Sequence, residues 1–189
     1  DKNERPKLQP VELARFEDFS VGERLFAINA ANEIAVHYIT ALGASARPGV
    51  PLSSEEAGEI LQVDRPLAPG TPLFEESGRL AGITVPGGRI IVAEQISTAL
   101  NKYLKEGVYI PTQLGVRTLD LSRLLPLDKI IPRTGLLLKS VKGRPAVIAG
   151  SPASRARLKD GDIITSFDGK RLDGRVPLAL ILARYQAGA

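Results

Sequence analysis

Asp64-Arg-Pro-Leu-Ala-Pro-Gly-Thr-Pro-Leu-Phe-Glu-Glu-Ser-Gly-Arg-Leu-Ala-Gly82 is the stretch that decides the fold of the first half of this chain. Pro69-Gly70 turns the chain, and an apolar strand begins at Pro72. A second turn at Ser77-Gly78 leads into a returning strand, Leu80–Val85. A Ser-Gly pair between two apolar runs is typical of a β-hairpin. The stretch therefore predicts two antiparallel strands joined by a short turn.

Apolar runs on both sides of this hairpin predict further strands. They are rich in β-branched and aromatic residues and are separated by turn residues. The predicted strands are Arg24–Ile28, Ile34–Leu42, Ile60–Asp64 and Arg89–Ala93, whereas residues 44–58 have the composition of a loop. Eighteen Gly and fourteen Pro among 189 residues also favour many short strands over a helical bundle. The first half is predicted to be a β-domain.

A predicted helix divides the chain into two domains. Gln95–Leu104 has apolar residues at helical spacing, and Gly107 follows as a C-terminal stop. We therefore place a domain boundary near Gly107, with one domain over residues 1–107 and the other over residues 108–189.

The second domain combines short strands with a C-terminal helix. Gly115–Leu119, Gly135–Val141 and Asp162–Phe167 are strand-like. Asp168-Gly169 predicts a tight hairpin turn, because type I′ geometry requires positive φ at both central positions. Pro177–Tyr185 is an apolar helix with proline at an acceptable first position.

Composition excludes several classes of function. The net charge is only +4, with four Tyr, five Phe and no Trp, so nucleic-acid binding has little support. Cysteine is absent, and histidine and acidic residues form no metal-binding spacing, so we expect neither a metal nor a cofactor. The apolar runs are too short to span a membrane. Because methionine is absent and numbering starts at Asp1, we expect a mature or excised piece of a protein.

Several motifs resemble the HtrA/Deg family of trypsin-like serine proteases. Val21-Gly22-Glu23 and Thr40-Ala41-Leu42-Gly43 match its second barrel, and Ile60–Asp64 matches the strand before its nucleophile loop. The most specific match runs from Gly150 to Leu172 and resembles the signature of the family's PDZ domain. The resemblance implies a mainly β chain, with a trypsin-like (chymotrypsin-fold) β-barrel followed by an α+β PDZ domain that ends earlier than in the family. It also implies a location in the cell envelope or periplasm.

The nucleophile of this family is missing from the sequence. The family has an Asn-Ser-Gly step after Pro-Gly, whereas Gly70 runs directly into Thr71. Without that serine there is no attacking oxygen, and without the loop there are no N–H groups for an oxyanion. We therefore expect no catalytic residue. His37, the single histidine, is interpreted as structural, and the serines at 53, 54 and 77 as turn residues.

Peptide binding is the function that the resemblance leaves open. In HtrA-type PDZ domains a loop of consecutive N–H groups captures a peptide's terminal carboxylate, and the peptide adds a strand to a sheet edge. Gln113, Leu114, Gly115 and Val116 resemble that loop, and Val116–Leu119 would be the bordering strand. The helix would supply the opposite wall, and its candidate pocket residues are Leu178, Ile181 and Leu182.

The implied role is that of a pseudoprotease in protein quality control, acting as an adaptor or scaffold. Its partners would be peptide or protein C-termini, unfolded proteins and active protease paralogues. Two alternatives remain: an active endopeptidase with a relocated nucleophile, and a structural module whose groove is filled by its own chain.

Three further expectations concern two pairs of adjacent glutamates and one arginine. Glu55-Glu56 and Glu75-Glu76 are interpreted as solvated surface charge. Arg157 stands where the family has glycine, so a left-handed backbone there would be strained.

Overall fold

The computed structural model describes residues 9–43, 50–55, 60–124 and 133–185. In these ranges the chain is mainly β. The strands are β1 (Arg24–Ile28), β2 (Ile34–Leu42), β3 (Leu52–Ser53), β4 (Leu61–Val63), β5 (Pro72–Phe74), β6 (Leu80–Thr84), β7 (Ile90–Val92), β8 (Arg117–Asp120), β9 (Leu136–Leu138), β10 (Ile163–Ile164), β11 (Ser166–Phe167) and β12 (Lys170–Arg171). The helices are α1 (Ala93–Glu106), α2 (Pro152–Arg155) and α3 (Leu178–Ala183).

The first sheet is a nearly closed antiparallel barrel. Its six strands follow the order β4-β2-β1-β5-β6-β7, and the two edge strands β4 and β7 contact each other. Alternate residues of β1 and β2 point inward, as period-2 strands require. The interior is apolar and includes Leu25, Ile39, Leu61 and Leu73, each no more than 1% exposed.

The hairpin predicted from Asp64–Gly82 is confirmed. Strands β5 and β6 pair antiparallel, with Pro72 opposite Ile83, and Gly78 turns the chain with a φ of +84°. Gly82 is required for a different reason. A Cβ atom there would lie 2.6 Å from the carbonyl oxygen of Ile91, so β6 and β7 approach too closely for any side chain.

Helix α1 is also confirmed and is slightly longer than predicted. It ends at Glu106 and is capped by Gly107, whose left-handed φ of 72° lets its N–H bond the carbonyl of Tyr103.

The second sheet has the order β10-β9-β8-β3, and β11 and β12 form a separate hairpin. The predicted type I′ turn is confirmed, since Asp168 and Gly169 have φ of 49° and 71°. Arg157 does adopt the left-handed backbone expected from its position, with a φ of 60°.

Two sequence-based expectations differ from the structure. The predicted strand Asp162–Phe167 is split into β10 and β11, because Thr165 leaves the first pairing and accepts from Leu172 N–H. The loop predicted over residues 44–58 contains β3, which has no apolar periodicity of its own and forms by pairing with β8. The remainder of that range, residues 44–49 and 56–58, lies outside the described residues.

Each sheet has its own apolar cluster, and α3 contributes to both. Leu180 packs in the barrel cluster, whereas the other three buried side chains of the helix pack in the second cluster. The domain boundary near Gly107 stays a prediction. In the described part of the chain, no helix has the length and apolarity needed to cross a bilayer.

Candidate functional site

The turn before β5 is a closed hydrogen-bonded bend. Gly70 N–H donates to the carbonyl of Thr84 at 2.8 Å, and Thr71 N–H donates to Thr84 Oγ1 at 2.9 Å. The Thr84 hydroxyl in turn donates to the carbonyl of Ala68. Thr84 is 1% exposed, so these bonds are shielded from water. The backbone N–H groups of Gly70 and Thr71 are therefore both engaged within the bend.

The buried histidine does not face a hydroxyl nucleophile. His37 lies on β2 and is 4% exposed. Its Nδ1 atom lies 3.2 Å from Asp64 Oδ1, within ion-pair distance, although the two groups are not aligned for a hydrogen bond. Tyr38 N–H donates to Asp64 and holds the pKa of that carboxyl below its usual value. This pair links β2 to the end of β4, as a structural histidine would.

The candidate serines donate to carboxylates. Ser53 and Ser54 hydroxyls bond Glu55, and the Ser77 hydroxyl bonds Glu75. No group of His, Asp and Glu suited to holding a metal ion occurs among residues 9–43, 50–55, 60–124 and 133–185.

Glu75 is buried and paired, which corrects its interpretation as solvated charge. It is 7% exposed and bonds the Arg79 guanidinium, which also contacts Asp18. The hydrogen bond from Arg79 lowers the pKa of Glu75 below its ordinary value. Glu76 is solvated as expected, with an exposed ion pair to Arg24.

The edge of β8 is occupied by a segment of the same chain. Here "β8 edge" means the side of β8 opposite β9, together with Leu114–Val116. Strand β3 pairs antiparallel with β8, placing Leu52 opposite Thr118 and Ser53 opposite Arg117. Beyond β3, Ser54 N–H donates to the Val116 carbonyl at 2.8 Å, and Val116 N–H donates to Ser54 Oγ at 3.3 Å.

The occupying segment ends in a captured carboxylate. Gly115 N–H donates to Glu55 Oε1 at 2.8 Å, and the Ser54 hydroxyl donates to the same oxygen at 2.6 Å. Burial raises the pKa of Glu55, but the bonds from Ser53, Ser54 and Gly115 outweigh burial and leave the pKa below its usual value. Glu55 is therefore a bound anion, which corrects its interpretation as solvated charge; Glu56 lies outside the described residues.

The predicted binding-loop residues sit at one end of this arrangement. Gln113 is exposed and Leu114 is half-buried, while Gly115 and Val116 are buried. Gly115 has a φ of +78°, and a Cβ atom there would lie 2.2 Å from Ser151 Cβ. Only glycine therefore allows the N–H at this position to face Glu55 without displacing the start of α2.

The predicted wall residues lie on α3. Leu178, Ile181 and Leu182 are 7%, 7% and 3% exposed and pack together with Val116 and Leu138 in the second cluster. The structure thus gathers these three side chains and the buried Val116 in one cluster. It gives these leucines and the isoleucine a core environment, and their role in binding stays a prediction.

The sequence matches no protein-family model. It is 29% identical to the "Probable periplasmic serine endoprotease DegP-like" of Hahella chejuensis over 204 aligned residues, covering 99% of this chain and 41% of the relative. The protein of the same name from Rhizobium meliloti is 26% identical over 202 residues, covering 99% and 38%. A plant protein, "Putative protease Do-like 14" of Arabidopsis thaliana, is 29% identical over 129 residues, covering 59% of this chain and 29% of the relative.

This chain is a homologue of the HtrA/Deg proteases. The solved HtrA-type protease AlgW with a tripeptide has the same fold, with a TM-score of 0.54 over 98% of this chain and 64% of that chain, at 22% identity. The predicted mainly β, trypsin-like fold is thereby confirmed. The chain spans about two fifths of the length of its bacterial HtrA relatives.

Sequence reasoning missed the most informative residue of this HtrA homologue, Glu55. Its neighbours gave one usable signal, since an apolar residue followed by Ser-Ser-Glu resembles a short peptide ending in a carboxylate. A two-residue strand has no periodicity to detect, so its partner is visible only in three dimensions.

Proposed function

We propose that this chain is an HtrA-like pseudoprotease that binds peptide C-termini or unfolded segments without cleaving them. Residues 108–189 form its PDZ domain, with the β8 edge as the binding site, and it acts as an adaptor or scaffold for client proteins or active protease paralogues. Its relatives from H. chejuensis and R. meliloti are named as periplasmic, and we propose the periplasm or cell envelope for this chain as well.

The closed turn at Gly70-Thr71 carries the proposal. An acyl-transfer site needs a nucleophile with an adjacent base and free donors aimed at the developing oxyanion. Here both donors of the turn are bonded to Thr84, and no serine lies between the two residues. The Gly70-Thr71 turn therefore offers neither a serine nucleophile nor free N–H donors for an oxyanion.

The arrangement of Gly115, Val116 and β8 supports the binding half of the proposal. A sheet edge that pairs with an antiparallel strand, with an N–H group at its start that donates to a carboxylate, is the geometry of strand-addition recognition. AlgW, which shares the fold, has been solved with a tripeptide and is thus a peptide-bound HtrA-type protease.

The test uses the 189-residue protein with unfolded casein and a fluorophosphonate serine probe, beside an active HtrA protease. We expect no fragments and no labelling of this chain, together with retention of labelled peptides from a C-terminal library. Cleavage with labelling would support the relocated nucleophile. Single replacement of Ser53, Ser54, Thr71 or Ser77 by alanine would then identify the residue by loss of labelling.

A structural module is the second candidate, because its own chain fills the β8 edge. In that case the edge would be permanently closed, and no peptide would be retained. The two candidates therefore differ in one measurement, the binding of an external peptide.

A further inference from the structure

We propose that Leu52–Glu55 is a built-in ligand of the β8 edge, and that external peptides carrying an apolar residue, two small hydroxyl residues and a carboxylate side chain displace it. The proposal rests on the peptide-binding function above. It adds how the site is regulated and which chemistry it accepts.

The direction of the segment is the first argument. Because β3 runs antiparallel to β8, the chain proceeds from Leu52 toward the start of β8 and delivers Glu55 to Gly115 N–H. An external peptide adding to the same edge in the same direction would need the same backbone donors and acceptors. The two strands therefore cannot be present together.

The contacts of the segment are the second argument. Ser54 is 3% exposed, bonds Val116 through both its backbone N–H and its hydroxyl oxygen, and donates to Glu55. Its small side chain fits beside a buried valine. A bulky residue at this position would have to displace its neighbours, so the site favours a small hydroxyl residue before the carboxylate.

The captured group is the third argument. It is a side-chain carboxylate of an internal residue, and Gly115 N–H holds it without any free chain terminus. A charge-assisted bond from a backbone N–H is about twice as strong as a neutral one. The site therefore does not require a C-terminus, and acidic internal segments belong to its ligands.

The test compares the whole wild-type chain with Glu55→Gln, which keeps the side-chain shape and removes the charge. The matched control is Glu76→Gln, because Glu76 is exposed and pairs with Arg24 on the barrel. The probe is fluorescein-labelled Val-Pro-Leu-Ser-Ser-Glu with an amidated C-terminus, so its single carboxylate is the glutamate side chain. A second probe ends in glutamine.

Fluorescence anisotropy should show the first probe binding Glu55→Gln about tenfold or more tightly than it binds the wild type or Glu76→Gln, as expected for the loss of one charge-assisted bond in the competitor. The second probe, which ends in glutamine, should bind Glu55→Gln more weakly than the first probe does, by a similar factor. Ser54→Ala should also raise the affinity for the first probe, because it weakens the binding of the built-in ligand. Circular dichroism confirms that each variant is folded.

Two results would overturn the inference, and they differ in what they leave standing. Equal affinity of the first probe for wild type and Glu55→Gln would refute the proposal of a built-in ligand but would still support peptide binding. No binding to any folded variant would refute peptide binding as well, and β3 would then have only a structural role.

Discussion

Replacing Leu180 by alanine should weaken the barrel, although Leu180 lies at the far end of the chain. The residue is 1% exposed and packs among side chains of the six-stranded barrel. Leu182 lies on the same helix, is 3% exposed and packs in the second cluster. Leu182→Ala is therefore a control that matches in residue type, helix and burial and differs in the core it contacts.

The expected size follows from burial. Both side chains are removed almost completely from water, and deleting a buried leucine side chain lowers the free energy of unfolding by about 2–5 kcal/mol. At the lower limit this corresponds to a roughly thirtyfold increase in the population of locally opened states, since about 1.4 kcal/mol is a factor of ten. The two variants should lose comparable stability in different places.

Hydrogen exchange followed by mass spectrometry locates that loss. In Leu180→Ala we expect faster exchange in β1, β2 and β4, and in Leu182→Ala faster exchange in β8 and β9. If Leu180→Ala accelerates exchange only in β8 and β9, α3 does not dock on the barrel in solution, and the reasoning from the shared helix is refuted.

Two further predictions concern single side chains. Glu75→Gln should lower the free energy of unfolding by about 1 kcal/mol at neutral pH, a value reduced because Arg79 is one-third exposed. The folded-state pKa of Glu75 is depressed, so its contribution is present above the ordinary glutamate pKa of about 4.3 and lost as pH falls through the folded value. Urea denaturation from pH 7 to pH 3 should show the difference from wild type shrinking, and a constant difference would contradict this. Arg157→Gly should raise the free energy of unfolding by about 0.5–1 kcal/mol by relieving a left-handed backbone. Arg155→Gly, placed in α2, should lower it, and thermal unfolding of the pair tests the sign.

Most of the fold could be predicted from local sequence because turns and helix ends depend on residues close together in the chain. The Ser77-Gly78 turn, the Asp168-Gly169 turn and the Gly107 helix stop each need a backbone conformation that few residues adopt. The apolar runs of β1 and β2 likewise predict strands. These features were predictable, whereas the inward positions of Leu25 and Ile39 were not, because both runs carry apolar residues on their two faces.

The site was less predictable because its contacts join distant residues. Glu55 and Gly115 are sixty positions apart in sequence, so the peptide-like pattern Leu-Ser-Ser-Glu does not by itself identify the N–H group that binds its carboxylate. Glu75 shows the same limit in part, since its neighbour Arg79 also contacts Asp18, 61 positions away in sequence. Leu180 could be predicted as buried, but the core it joins is set by how α3 lies between the two sheets.

If the β8 edge binds peptides as we propose, the placement of β3 also sets a threshold for those peptides. Leu52–Glu55 is tethered to the barrel through the connection between β2 and β4, so it competes as an intramolecular ligand. Segments held in this way act at an effective concentration on the order of millimolar. A free peptide with equal intrinsic affinity would have to approach that concentration to occupy half of the molecules. A partner must therefore bind more tightly than the tethered segment or present several copies of the sequence at once. Dilute single peptides would leave the segment in place, whereas concentrated unfolded chains would displace it.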